Sequence, residues 1–166
     1  MSKSVDRRFN VLFICTGNSA RSIIAEALLN HLGRGRFCAF SAGSSPRGAV
    51  HPDTLALLRR NGIDVGGLRS KSWDEFGAAS APRMDFVFTV CDKAAGEQCP
   101  VWLGHPITAH WGFTDPAAVV DERERQRTFA RVFEEINARL RLFIALPLET
   151  LDRTALEQHV AEMGKR

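Results

Sequence analysis

The sequence has no Cys-x-x-Cys pair, no long apolar stretch and no run of one charge sign. Each absence closes a class of function. No segment approaches the roughly 18 consecutive apolar residues that a membrane-spanning helix needs, so no membrane role is expected. Residues 1–10 are polar, and the apolar run after them is too short for a secretory signal peptide. A cytoplasmic chain in a reducing compartment is therefore predicted. Basic residues are scattered, with no stripe of them interleaved with aromatics, and the net charge is only +3. Nucleic acid is not an expected partner, whereas a mildly positive chain suits a small anionic substrate. Without Cys-x-x-Cys, a zinc site would have to be assembled from Cys99, His105 and His110, a weak set, and no metal is expected.

What is present is ordinary in bulk. The chain has 166 residues, 45% hydrophobic and 25% charged, enough for a single domain (1–166) with a full core. The four cysteines are Cys15, Cys38, Cys91 and Cys99. An even count permits structural disulfides, but not readily in a reducing compartment, so nucleophilic or redox use of the thiols is expected. Cys38, on a predicted strand, reads as a small core residue.

Periodicity divides the chain into alternating strands and helices. Residues 9–14 form a short apolar run, read as a buried strand. Ile23, Ile24, Ala27, Leu28 and Leu32 recur at helical spacing until Gly33 and Gly35. Residues 37–41 are a second strand and residues 42–48 a loop. Pro52 opens a helix that Asn61-Gly62 stops. Residues 84–90 are the clearest later strand, 92–104 a mobile loop and 107–110 a last short strand. Phe129, Val132, Phe133, Ile136, Leu140, Phe143 and Ile144 mark one face of a long helix ended by Pro147. Residues 1–8 read as a flexible terminus, 9–146 as the core, and 147–166 as a helical tail packed on it. The expected fold is α/β, a three-layer sandwich with a four-stranded parallel sheet and helices on both faces.

Chemistry concentrates in Cys15-Thr16-Gly17-Asn18-Ser19-Ala20-Arg21-Ser22, at a strand-to-helix junction. Such a loop turns backbone N–H groups inward, and the helix start adds its positive dipole end, so an oxyanion fits over a thiolate. The surroundings of Cys15 are expected to lower its pKa. Arg21 grips two oxygens at once, Gly17 allows close approach, and Asn18 holds the loop through side-chain bonds. Cys91 directly follows a predicted strand, as Cys15 does, so parallel strands place both thiols at one sheet edge. Asp115, before Pro116, is a candidate general acid or simply a turn cap. Cys91 and Cys99 are close enough in sequence for a disulfide if their loop bends.

Residues 11–22, Ser41-Ala42-Gly43 and Asp115-Pro116 resemble the low-molecular-weight protein tyrosine phosphatase superfamily. Thr89-Val90-Cys91, Cys99-Pro100 and His110-Trp111-Gly112-Phe113-Thr114-Asp115-Pro116-Ala117 resemble the arsenate reductases built on that fold. The resemblance implies arsenate as substrate, with phosphate or sulfate as mimics, held by residues 16–22. It implies attack on arsenic by Cys15 and proton donation by Asp115. Cys91 then forms a disulfide with Cys15, and Cys99 with Cys91. No bound cofactor is implied. The reductant is an external thiol, either thioredoxin or glutathione with glutaredoxin, because the Cys91–Cys99 spacing is one residue longer than in the thioredoxin-coupled members. A monomer is expected. Some members bind potassium near the loop, and Asn18, Glu26 and Ser41 match parts of that site. Lys71 falls where a further carboxylate aligns, so its ammonium is expected to pair with Glu26 in the ion's place.

Two alternatives use the same loop. One is a phosphatase acting on phosphomonoesters. Ala117 and Ala118 follow Asp115-Pro116 where such enzymes carry aromatics, and the chain has no tyrosine. The other is an oxyanion- or redox-sensing binding module without turnover.

Overall fold

The run Phe9–Cys15 (β1) is almost wholly buried because it is central, with a parallel neighbour on each side. A central parallel strand has no solvent face, hence its near-continuous apolar sequence. The structure, a computed structural model, describes residues 8–91, 102 and 104–165. Residues 1–7 of the terminus expected to be flexible, most of the loop expected to be mobile, and Cys99 lie outside the described residues.

The helix α1 (Arg21–Leu32) follows β1 through the loop of interest, and β2 (Phe37–Gly43) returns beside it. Then come α2 (Pro52–Arg60), a short 3₁₀ turn (Trp73–Phe76), β3 (Phe86–Thr89) and β4 (Ile107–His110). A second 3₁₀ turn (Pro116–Ala118) precedes α3 (Glu122–Ile144) and α4 (Arg153–Met163). The sheet order is β2-β1-β3-β4, all parallel. The α/β class and four-stranded parallel sheet are as expected. The helix α3 starts well before its first apolar residue, because the Asp121 carboxylate caps it by accepting from Glu124 N at 2.9 Å. Cys38 is only half-buried on β2, which corrects its reading as a core residue. Its strand position alternates with the buried Phe37 and Ala39.

The tail folds back as α4 against β4, where the Trp111 indole N–H donates to the Val160 carbonyl at 2.9 Å. Phe143 of α3 is the aromatic keystone of one sheet face. Its ring meets Phe86 and Phe88 nearly perpendicularly, at 5.0 and 5.4 Å, and also contacts Phe37 and Trp111. The opposite face carries Phe40 against Phe76 of the first 3₁₀ turn. No helix among the described residues is long and apolar enough to cross a membrane.

The register fixes the working edge. Cys15 pairs with Gly43, Ile14 with Thr89, and Thr89 with His110. The loops beyond these C-terminal strand ends therefore open on one side of the molecule. Replacing Phe143 by alanine removes a fully buried ring that joins α3 to two strands, β2 and β3, and to the Trp111 segment. It should cost about 3–5 kcal/mol of stability in denaturant unfolding; a loss below about 1 kcal/mol would refute the keystone role.

Candidate active site

The loop after β1 gets its shape from outside itself. Thr16 O accepts from Ser45 N at 2.9 Å, and Gly17 O from Arg47 N at 2.9 Å and Ser70 Oγ at 3.2 Å. Ser19 O accepts from His51 N at 3.0 Å and Thr54 Oγ1 at 2.9 Å. In a planar trans peptide the carbonyl and the following N–H point in opposite directions. Pinning these carbonyls outward turns the Gly17, Asn18 and Ala20 N–H groups toward the concave side. The Gly17 N–H accordingly reaches the Cys15 sulfur.

Asn18 makes the reversal possible. It adopts φ +47°, the left-handed region in which asparagine is among the few tolerated side chains. Fully buried, its amide donates to Ser22 Oγ at 2.8 Å and Ser41 Oγ at 3.0 Å, and its oxygen accepts from Lys71 N at 2.9 Å. Asn18 and Ser22 thus face inward beneath the loop, and neither side chain lines the pocket. Gly43 must be glycine, since a Cβ there would lie 2.5 Å from Thr16 O.

Above the loop is a pocket of about 570 Å³ whose lining includes Cys15, Arg21, Cys91 and Asp115. Arg21 donates to Phe113 O at 3.0 Å and lies 3.4 Å from the Asp115 carboxylate. Its Nε is buried with no partner, a donor free for a bound anion. Asp115 caps the second 3₁₀ turn through Ala117 N at 3.0 Å and also lines the pocket, so capping the turn does not take it out of the site. Cys91 reaches back over the loop, where its sulfur accepts from Thr16 N at 3.2 Å.

Cys15 and Cys91 are each 3% exposed. The hydrogen bond with Cys91 and then burial push the Cys15 thiol up, against the pull of Arg21 and the Gly17 N–H. This corrects the expectation of a lowered pKa. Arg21 and the loop act in the expected direction, but the neighbouring thiol, not foreseen at this distance, outweighs them.

Residues 10–158 match the family described as low molecular weight phosphotyrosine protein phosphatase. The chain belongs to this family. Among its relatives, a protein of Shouchella clausii named arsenate reductase is 36% identical over 86% of this chain and 96% of its own. A Corynebacterium glutamicum structure described as a thioredoxin-dependent arsenate reductase is 27% identical with a TM-score of 0.63. That match covers 87% of this chain and 64% of the other. An arsenate reductase structure from Archaeoglobus fulgidus is 28% identical with a TM-score of 0.64, over 82% of this chain and 99% of the other.

For this member of the family, a potassium ion does not fit the residues present. Lys71 Nζ donates to the Ser41 and Arg69 carbonyls at 2.9 and 2.7 Å and lies 3.9 Å from Glu26 Oε1. Ser41 Oγ donates to the same carboxylate oxygen at 2.5 Å. The ammonium group therefore sits beside Glu26, as expected, and uses the oxygens a cation would need. Burial pushes Glu26 up and Lys71 down, each opposed by the attraction of the other. Among the described residues, no cluster of three or more His, Cys, Asp or Glu side chains could hold a metal.

Sequence reasoning missed Ser45, Arg47, His51, Thr54 and Ser70, which hold or border the loop. The only signal was His51-Pro52, a helix-start pair; the rest are recognisable only once distant segments are brought together.

Three measurements test the site. Cys91→Ala removes the largest influence raising Cys15, so alkylation of Cys15 by iodoacetamide should set in at lower pH than in the wild type. An unchanged or higher midpoint contradicts the coupling. Lys71→Met leaves Glu26 buried without its cation and should cost about 3–5 kcal/mol. The wild-type melting temperature should be equal in potassium and sodium chloride; a specific rise with potassium would show that the ammonium does not replace the ion.

Proposed function

We propose that the protein reduces arsenate to arsenite in the cytoplasm, a detoxifying reaction, through a thiol relay that begins in this pocket. The observation that carries the reading is the second thiol, Cys91, lining the same pocket as Cys15 and hydrogen-bonded to it. Phosphomonoester hydrolysis needs one thiol, an anion loop and an acid, and has no use for another sulfur there. The arsenate reductases among the relatives support the same substrate.

In this reading the anion occupies the loop N–H groups and the free Nε of Arg21. Cys15 sulfur attacks arsenic, and an arsenate hydroxyl that takes one proton from Asp115 leaves as water. The Cys91 thiolate then attacks the Cys15 sulfur. The sulfur–sulfur bond forms as the sulfur–arsenic bond breaks, and that bond's electron pair stays on arsenic, which leaves as trivalent arsenite. Two electrons have passed from the two sulfurs. Cys99 next attacks the Cys91 sulfur and frees the Cys15 thiolate, leaving a Cys91–Cys99 disulfide for an external dithiol to reduce. The thioredoxin dependence of the Corynebacterium relative favours thioredoxin as that dithiol, ahead of glutathione with glutaredoxin. Phosphate and sulfate act as mimics of the substrate. In this reading the protein acts as a monomer.

The test is arsenite production by the reduced protein with the thioredoxin system, compared with glutathione plus glutaredoxin. Cys91→Ser and Cys99→Ser should each lower catalytic turnover about a hundredfold or more, while any aryl phosphate hydrolysis persists. Full arsenite turnover by Cys91→Ser sinks the relay. Aryl phosphate turnover with no arsenite under either reductant establishes the phosphatase instead.

A further inference from the structure

Arg47 lies across the anion loop. Its backbone N–H donates to Gly17 O at 2.9 Å, and its stem packs on Gly17 so closely that a Cβ there would meet Arg47 Nε at 3.0 Å and Cγ and Cδ at 3.4 Å. Ser70 Oγ clamps both sides of this contact, donating to Gly17 O at 3.2 Å and accepting from Gly48 N at 3.1 Å. Gly48 has φ +88°, which lets the chain turn away immediately after Arg47. The segment is therefore tethered to the loop on both sides. The side chain is exposed and lines the pocket.

The guanidinium of Arg47 has no hydrogen-bond or ion-pair partner among the described residues. Arg21, by contrast, is already engaged by Phe113 O and Asp115, which leaves its Nε for the anion. The pocket thus holds one guanidinium at its floor, fixed by protein partners, and a second at its mouth with none. A cation at the mouth of a cleft raises the local concentration of an anion and adds a charge-assisted donor to it.

We propose that Arg47 is a second oxyanion-binding residue, which captures a tetrahedral anion at the mouth and adds to its affinity in the loop. This inference rests on the oxyanion reading of the pocket and deepens it. In this proposal Arg47 holds an oxygen that does not leave, so its contact is the same before and during reaction. Loss of such uniform binding raises KM and leaves kcat nearly unchanged.

The experiment compares wild type, Arg47→Gln, Arg47→Lys and, as a charge control, Arg60→Gln on the exposed end of α2. Two probes are used: inorganic phosphate as a ligand, and the ratio of Cys15 alkylation by iodoacetate to that by iodoacetamide. Arg47→Gln should weaken phosphate binding and raise KM for arsenate, each about fivefold to tenfold. It should also lower the iodoacetate preference, with kcat changing less than about twofold. Arg47→Lys should recover part of each effect, and Arg60→Gln should match the wild type. Unchanged phosphate affinity and alkylation ratio in Arg47→Gln, with wild-type binding intact, overturn this inference alone. A wild type that binds no phosphate and shows no preference for iodoacetate overturns the oxyanion reading beneath it. An equal effect in Arg60→Gln reduces the role of Arg47 to net charge and overturns the proposal.

Discussion

The left-handed turn at Asn18 is the constraint on which the site depends. A loop that presents its N–H groups to an anion must turn its carbonyls elsewhere, and those carbonyls need donors. Here the donors come from the loop after β2, the cap and first turn of α2, and Ser70. Asn18 itself is held by Ser22, Ser41 and Lys71. The proposed anion site is therefore a property of the assembled core. It exists only when β1, β2 and the Lys71 segment are together, and that preorganisation is what makes such donors effective toward developing charge.

The same assembly explains the buried Lys71–Glu26 pair. A buried ion pair is weak evidence for stability, because desolvation offsets much of the attraction. Its value here is positional. Lys71 N–H orients Asn18, its ammonium ties the Ser41 and Arg69 carbonyls together, and Glu26 receives Ser41. A mobile cation would satisfy the same oxygens. A covalently attached ammonium does so without depending on the ionic composition of the medium.

Much of this was legible in sequence. The apolar run of β1, Gly33 after α1 and Pro52 at the start of α2 fix the alternation of elements by local rules. Cys15, Arg21 and Asp115 were identifiable because a thiol, a guanidinium and an acid in loop contexts have few bland readings together. The supporting donors were not, since Ser45, Ser70 and Thr54 are ordinary loop or helix residues until register brings them to Thr16, Gly17 and Ser19. The pKa of Cys15 was misjudged for a related reason. The loop's attraction for negative charge is local and readable, but the opposing thiol arrives from β3, and its hydrogen bond outweighs the loop.

That opposition bears on the proposed relay. While Cys91 holds the proton balance of Cys15, neither sulfur is an exposed, freely reacting thiolate, and both are buried. Bonding of Cys15 to arsenic would remove Cys15 as a hydrogen-bond partner of Cys91. Cys91 would then keep the Thr16 N–H, which lies 3.2 Å from its sulfur. The second nucleophile would thus be released from that hydrogen bond by the first step, with its target sulfur already adjacent. A hydrolytic enzyme gains nothing from that ordering, because water and not sulfur must approach the intermediate. A thiol relay uses it, since its second step is the attack of one sulfur on another.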